Sequence, residues 1–338
     1  MKIAMVTGSY PPDACGVGDY TCRLVKELKL CGVTVEVVTH DDWHLKNIIP
    51  IVQKINSIKP DIVHIQYPTV GYGAGLAPQM LSMFFPCVVT LHEVSQAHIL
   101  RRLSLLLFLI RSRNIIFTNS YEREYAVRWF PWFTSRCRVI PVGCNISVGS
   151  PAKVRDSEEI LYFGLIRPHK GLEEVLQFAS LVKQASLPLS IRIVGNLHPR
   201  YRRYFETLHE QSKLLPIQWS IGLSENAVAD LMSRSRIAYM PFPDGASERR
   251  TSLLALLASG VVTVTTLGKA TPLELKDVVN FAQSPESALL LIRDILADRS
   301  YQAQLSEKGR AYANNFTWKA IAKKNFEVYS MLFSPGKQ

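Results

Sequence analysis

Phe163-Gly164-Leu165-Ile166-Arg167-Pro168-His169-Lys170-Gly171 is the stretch that decides the fold. It leaves an apolar, strand-like run, Ile160 to Phe163, and enters a helical pattern of Leu172, Val175, Leu176 and Ala179. Arg167 and Lys170 therefore sit in a loop between a strand end and a helix start. Open α/β sheets bind ligands at the carboxyl ends of their strands. A helix N-terminus beside two cations suits a phosphate or diphosphate. By spacing alone, the same residues also fit a solvated loop with two surface cations.

Outward from this loop, short β-rich runs alternate with helical patterns, the signature of βα units in parallel sheets. In the first half the pattern predicts strands at Ile3–Thr7, Thr34–Thr39, Asp61–Ile65, Val88–Leu91, Asn114–Thr118 and Arg138–Pro141. Helices are predicted near Gly18–Leu30, Leu45–Ile58, His98–Ile110 and Tyr121–Trp129. In the second half strands fall at Ile160–Phe163, Ser190–Val194, Gln218–Ile221, Ile237–Met240, Val261–Thr265 and Val278–Ala282. Helices follow near Leu172–Gln184, Pro199–Lys213, Asn226–Ser233, Ser252–Ser259, Glu286–Ala297, Tyr301–Asn315 and Trp318–Met331. The strands are continuously apolar, as expected when helices cover both sheet faces. A linker is expected between Val142 and Glu158, around Gly143, Gly149, Ser150 and Pro151. The reading is an α/β chain of two tandem doubly wound, Rossmann-like domains, residues 1–150 and 151–315, with a cleft between them. A last helix occupies 316–338.

Composition agrees with that size. A chain of 338 residues suggests two domains, and 47% apolar residues suffice for two cores. No run reaches the roughly 18 apolar residues that span a bilayer. The N-terminus, Met1 to Gly8, reads as a first strand and turn rather than a signal peptide. Cys15, Cys22, Cys31, Cys87, Cys137 and Cys144 form no Cys-x-x-Cys pair, which argues against a zinc ribbon or a redox centre. They read as reduced cytosolic thiols serving as small apolar side chains. The net charge of +11 fits partners that carry phosphate. Neither zinc-finger spacing nor an aromatic-rich RNA-binding signature occurs, so nucleic acid is not expected.

Three further loops lie where such sheets bind ligands. After the first strand, Gly16 and Gly18 let the backbone approach a ligand at a helix start, or form an ordinary turn. The Gly-x-Gly-x-x-Gly dinucleotide fingerprint is absent. After the fourth strand, His92 either donates to a substrate hydroxyl and stabilises charge, or packs as a loop histidine. The third loop runs from Pro241 to Ser252 and brings Arg249, Arg250, Thr251 and Ser252 to a helix start. Two guanidinium groups there suit an anionic or polyol ligand, while Thr251 or Ser252 also fits the N-cap.

In order along the chain, these segments resemble glycosyltransferase family 4, retaining enzymes of the GT-B fold. The motifs are Tyr10-Pro11-Pro12 with Gly16 and Gly18, Thr90-Leu91-His92-Glu93, and Val139-Ile140-Pro141-Val142-Gly143. Phe163-Gly164 through Arg167 and Lys170-Gly171, Ile193-Val194-Gly195, Ala258-Ser259-Gly260 and Phe316-Thr317-Trp318 complete the set. The resemblance implies transfer of a sugar, hexosyl in type, from a nucleotide-diphosphate donor to a glycan, lipid-linked or small-molecule hydroxyl. Anomeric configuration is retained, and neither metal nor other cofactor is expected. It gives Arg167 and Lys170 the role of neutralising the departing diphosphate and places His92 near the donor sugar. Gly16 and Gly18 fall near the phosphates, Gly164 is expected among the donor-binding residues, and the last helix is expected to return to the first domain. The family's usual Glu-x7-Glu pair is missing, since Ser247 and Ala255 stand at those positions. The resemblance is thus to a subgroup in which Ser247, Glu248, Arg249, Arg250, Thr251 and Ser252 supply donor contacts. The missing pair also fits a non-catalytic sugar-nucleotide-binding or scaffold protein of the same fold.

Residues 99–138 interleave leucines and aromatic residues with Arg101, Arg102, Arg111, Arg113, Arg123, Arg128, Arg136 and Arg138. Only Glu122 and Glu124 oppose them. This mixture suits an anionic membrane surface, and with it a cytoplasmic protein peripheral to the inner face of the membrane and a lipid-linked acceptor. It equally suits a core helix with snorkelling arginines.

Overall fold

The computed structural model describes residues 1–13, 15–95, 97–144 and 156–333. The chain divides into two compact units, one of residues 1–143 with 317–338 and one of residues 144–316. Residues 145–155, which hold most of the predicted linker, lie outside the described residues.

In the first unit the strands are β1 (Lys2–Val6), β2 (Thr34–Val38), β3 (Ile62–Tyr67), β4 (Cys87–Leu91), β5 (Asn114–Phe117) and β6 (Cys137–Val139). All pair in parallel in the order β2-β1-β3-β4-β5-β6. The helices are α1 (Gly16–Leu30), α2 (Ile48–Ile58), α3 (Ala77–Phe84), α4 (Ile99–Ser104), α5 (Leu106–Arg111) and α6 (Ser120–Trp129). Every residue of β3 and β4 is buried, as the continuous apolar runs require.

The second unit holds β7 (Asp156–Phe163), β8 (Ser190–Gly195), β9 (Ile217–Ile221), β10 (Ser235–Met240), β11 (Val262–Thr265) and β12 (Asn280–Phe281). These too are parallel, in the order β12-β11-β10-β7-β8-β9. The helices are α7 (Leu172–Gln184), α8 (Arg202–Ser212), α9 (Glu225–Arg234), α10 (Thr251–Ala258), α11 (Pro285–Ala297) and α12 (Arg299–Asn314). A last helix, α13 (Trp318–Phe333), belongs to the first unit. Its Ile321, Ala322, Val328 and Tyr329 join Ile3, Met5, Leu24 and Leu28 in one core cluster.

The two sheets are α/β doubly wound, but they are not copies. The first has the 2-1-3 order of flavodoxin-type sheets and reverses between β1 and β3. The second has the 3-2-1-4-5-6 order of dinucleotide-type sheets and reverses between β7 and β10.

Two predictions are corrected. The single helix at His98–Ile110 is two short ones, because the Leu105 N–H is shared between the Arg101 and Arg102 carbonyls and the turn tightens there. Helix α3 was not predicted. It follows Gly73 and Gly75 and carries Pro78 in its first turn, where proline is tolerated but reads as a breaker in sequence.

Candidate functional site

In the second unit, the loop after β7 is fixed by its backbone. The Gly164 and Ile166 N–H groups donate to the Val194 and Asn196 carbonyls, each at 3.0 Å. The Tyr162 hydroxyl donates to the Lys170 carbonyl at 2.9 Å, which pins the backbone that carries the lysine. Gly171, at φ 79°, ends the loop; a Cβ there would stand 1.9 Å from the Pro241 carbonyl oxygen. That contact joins the β7 loop to the loop after β10. Both strands border the switch point, so both loops lie at the crevice such sheets use for ligands.

Arg167, Lys170 and Arg250 are brought together there. Burial lowers the Lys170 ammonium below its usual range, and the Arg250 and Arg167 charges lower it further; Asp244 offsets part of this. Arg250 stacks 4.7 Å over the Phe242 ring and pairs with Asp244 at 2.8 Å. Three cations held this close repel one another, and a bound anion would relieve that repulsion. Exposed Glu173, in the first turn of α7, is occupied by the Tyr204 hydroxyl at 2.6 Å.

Other predicted residues of the 241–252 loop are placed differently. Arg249 and Thr251 are exposed, while Ser247, Glu248 and Ser252 are half-buried. Glu248 lies near Tyr312 of α12, whose hydroxyl is raised by burial and then by that carboxylate. Neither Thr251 nor Ser252 caps α10. Arg250 holds the N-cap position and no side-chain cap bond forms, because the chain bends into the helix one residue earlier than predicted.

In the first unit, the loops after β1 and β3, again the switch-point strands, line a cavity of about 460 Å³ with His92. Cys15, Gly16, Tyr20, Thr69 and Arg101 contribute to its wall. Gly16 has open space around its missing Cβ, whereas a Cβ on Gly18 would press on the Ser9 carbonyl at 3.0 Å. Gly16 therefore shapes the cavity, and Gly18 lets α1 pack on its own loop. The Thr69 hydroxyl is buried without a hydrogen-bond partner among the described residues. His92 is half-buried; its backbone N–H donates to the Tyr67 carbonyl at 2.8 Å and its ring meets Tyr20 edge-on at 4.8 Å.

Cys15 departs from its reading as an apolar filler. Burial pushes its thiol up, but N–H groups of Val70, Gly18 and Val17 and the Ser9 hydroxyl outweigh that and lower it. Its place just before a helix was the available signal. Arg101, read as part of a basic surface, lines the cavity and donates to Gly73 O at 2.9 Å.

Residues 42–148 match the model of Glycosyltransferase Family 4. No curated protein matches the chain. Among solved structures, a glycosyltransferase from Rickettsia africae ESF-5 superposes with a TM-score of 0.74 at 16% identity, over 99% of both chains. Sucrose-phosphate synthase from Thermosynechococcus elongatus gives 0.64 at 16% identity over 99% of this chain and 100% of its own. HepE of Anabaena, solved with UDP and glucose, gives 0.63 at 16% identity over 98% and 100%. The fold is that of the GT-B glycosyltransferases, and the family 4 resemblance read from the loops is borne out over residues 42–148. The match over residues 42–148 supports a glycosyltransferase enzyme.

Proposed function

We propose that the protein is a retaining, metal-independent glycosyltransferase that takes its sugar from a nucleotide-diphosphate donor. The observation that carries this reading is the convergence of Arg167, Lys170 and Arg250 at the β7/β10 switch point. The bond from the anomeric carbon to the diphosphate breaks, and one to the acceptor oxygen forms on the same face. The acceptor proton leaves with the diphosphate. Negative charge grows on the leaving group, and the three cations stabilise it where a metal would otherwise do so. The complex of HepE with UDP and glucose supports a nucleotide-sugar donor. Residues 144–316 hold the donor, residues 1–143 serve the acceptor, and His92 contacts substrate in the first unit's cavity. Arg167→Ala and Lys170→Ala are each expected to lower transfer from UDP-sugars or their congeners by about 10²-fold. Wild-type rates in both variants would overturn the roles given to them.

The region 99–138 is proposed to meet an anionic membrane carrying the acceptor. Ile99, Leu100, Leu103, Ile110, Trp129 and Trp132 are exposed, among exposed Arg111, Arg113 and Arg128. Arg102 and Arg136 are instead engaged with backbone carbonyls. Glu122 is buried and its carboxylate accepts from the Val94 N–H and from the N–H and hydroxyl of Ser95, so its charge does not reach this face. No helix among the described residues is long and apolar enough to cross a membrane. Co-sedimentation with vesicles rich in phosphatidylglycerol is expected at low salt and lost at high salt. No binding at low salt would refute the surface.

A further inference from the structure

Strand β3 is buried along its length, yet it carries His64 and Gln66, both fully enclosed. Residues two apart on a strand share a face, and buried polar groups need partners. His64 Nδ1 lies 2.5 Å from the Tyr329 hydroxyl of α13. Its Nε2 lies 2.8 Å from Thr90 Oγ1 and 3.2 Å from Gln66 Nε2. Gln66 Nε2 also meets Met5 Sδ at 3.4 Å, and Gln66 Oε1 meets His92 Nε2 at 2.9 Å. One buried chain of hydrogen bonds thus runs from α13 to the wall of the first unit's cavity.

Donor and acceptor rules fix its direction. An amide nitrogen only donates and a thioether only accepts. Gln66 Nε2 therefore donates to Met5 Sδ and to His64 Nε2. His64 Nε2 is bare, its one lone pair shared between the Gln66 amide hydrogen and the Thr90 hydroxyl hydrogen, so Nδ1 carries the ring proton and its N–H donates to the Tyr329 hydroxyl oxygen. Turning the amide over would set its carbonyl against the sulfur, acceptor against acceptor. Gln66 Oε1 must then accept from His92 Nε2–H. Burial lowers both imidazoles, each to about 3, so both rings are neutral near pH 7. A neutral ring protonated at Nε2 is bare at Nδ1.

We propose that Gln66, held by His64, Thr90 and Tyr329, is a positioning residue that fixes His92 as its Nε2–H tautomer, so that Nδ1 accepts a hydrogen bond from a substrate hydroxyl in the cavity. This rests on the placement of substrate beside His92 given above. It reverses the donor role expected from the sequence. A bare ring nitrogen welcomes a sugar or acceptor hydroxyl and repels a phosphate oxygen. His92 thus reads the polyol part of the substrate, and Gln66 keeps it from turning into a donor.

The test is ring-nitrogen NMR of the full chain labelled at histidine, with His92 assigned by its loss in His92→Gln. Wild type is expected to show His92 with Nε2 protonated and Nδ1 bare. Gln66→Met keeps the shape and removes the acceptor; the ring should become a tautomer mixture and kcat fall by about tenfold, the net worth of one hydrogen bond, with KM changed less. Tyr329→Phe deletes one oxygen from the far end and should give a smaller mixing. A wild-type His92 protonated at Nδ1 would overturn the proposal, as would a Gln66→Met ring still held as Nε2–H. The tautomer is read without turnover. Absent sugar transfer with the Nε2–H tautomer intact would strike the glycosyltransferase reading alone.

Discussion

The two switch points solve different problems. At β1/β3 the cavity wall carries one charge of each sign, Glu93 and Arg101, beside neutral groups: a glycine with open space, a threonine hydroxyl without a partner among the described residues, and an uncharged imidazole held from behind. At β7/β10 the loops gather Arg167, Lys170 and Arg250, with exposed Asp244 paired to Arg250. A preformed wall whose charges offset one another suits hydroxyl groups, whose hydrogen bonds need direction. A strained cation cluster suits a diphosphate, whose charge needs only proximity. In the proposed function, two sheets of similar build thus divide sugar recognition from charge stabilisation by the residues at their reversals.

Charge removal breaks this division most directly. The ~10²-fold loss expected for Arg167→Ala or Lys170→Ala should have no counterpart in the first unit. Arg101→Ala removes a cation that already serves the Gly73 carbonyl, and is expected to change kcat less than tenfold. Equal losses from Arg101→Ala and Lys170→Ala would erase the distinction between the two sites.

The glycines sharpen it at a smaller scale. Gly171→Ala meets both a positive φ and a carbonyl at 1.9 Å, and should destabilise the fold by roughly 1–3 kcal/mol. Gly18→Ala, with its nearest contact at 3.0 Å, should give about 1 kcal/mol. Gly16→Ala meets nothing within 4 Å and should leave stability within about 0.5 kcal/mol while narrowing the cavity. Thermal unfolding of the three variants checks the order. A Gly16→Ala variant less stable than Gly171→Ala would contradict the assignment of Gly16 to the cavity.

Much of this architecture was legible in sequence. The apolar strands and the Leu172–Gln184 helix appear where period and composition place them, because buried parallel strands and amphipathic helices write their environment into residue type. Arg167 and Lys170 were legible because they follow a strand and precede a helix. Strand order was not, since nothing in a strand's own residues says which neighbour it pairs with. Cys15, Thr69 and Gln66 were also hidden. Their roles come from backbone N–H groups and side chains distant in sequence, such as Gly71 on Ser9 and Tyr329 on His64. The 99–138 arginines show the same limit: sequence counts charges, but folding decides that Arg102 and Arg136 face carbonyls.

Acid should separate the units as well. His64 is fully buried in the first unit, and its folded value near 3 lies below the ordinary 6.5. Between those values the unfolded chain binds a proton that the folded chain does not, so stability rises with pH across the window. It is complete above about pH 6.5 and is lost as pH falls toward 3. One such group gives a slope of up to about 1.4 kcal/mol per pH unit. His169, His198 and His209, the histidines of the second unit, are all exposed and impose no comparable burial. Hydrogen exchange followed from pH 7 to pH 5 is therefore expected to show amides of β3 and β4 losing protection before those of β7 and β8. Simultaneous loss in both sheets would mean that carboxylates, not the buried His64 imidazole, control acid unfolding, because carboxylates are spread over both units whereas His64 belongs to one.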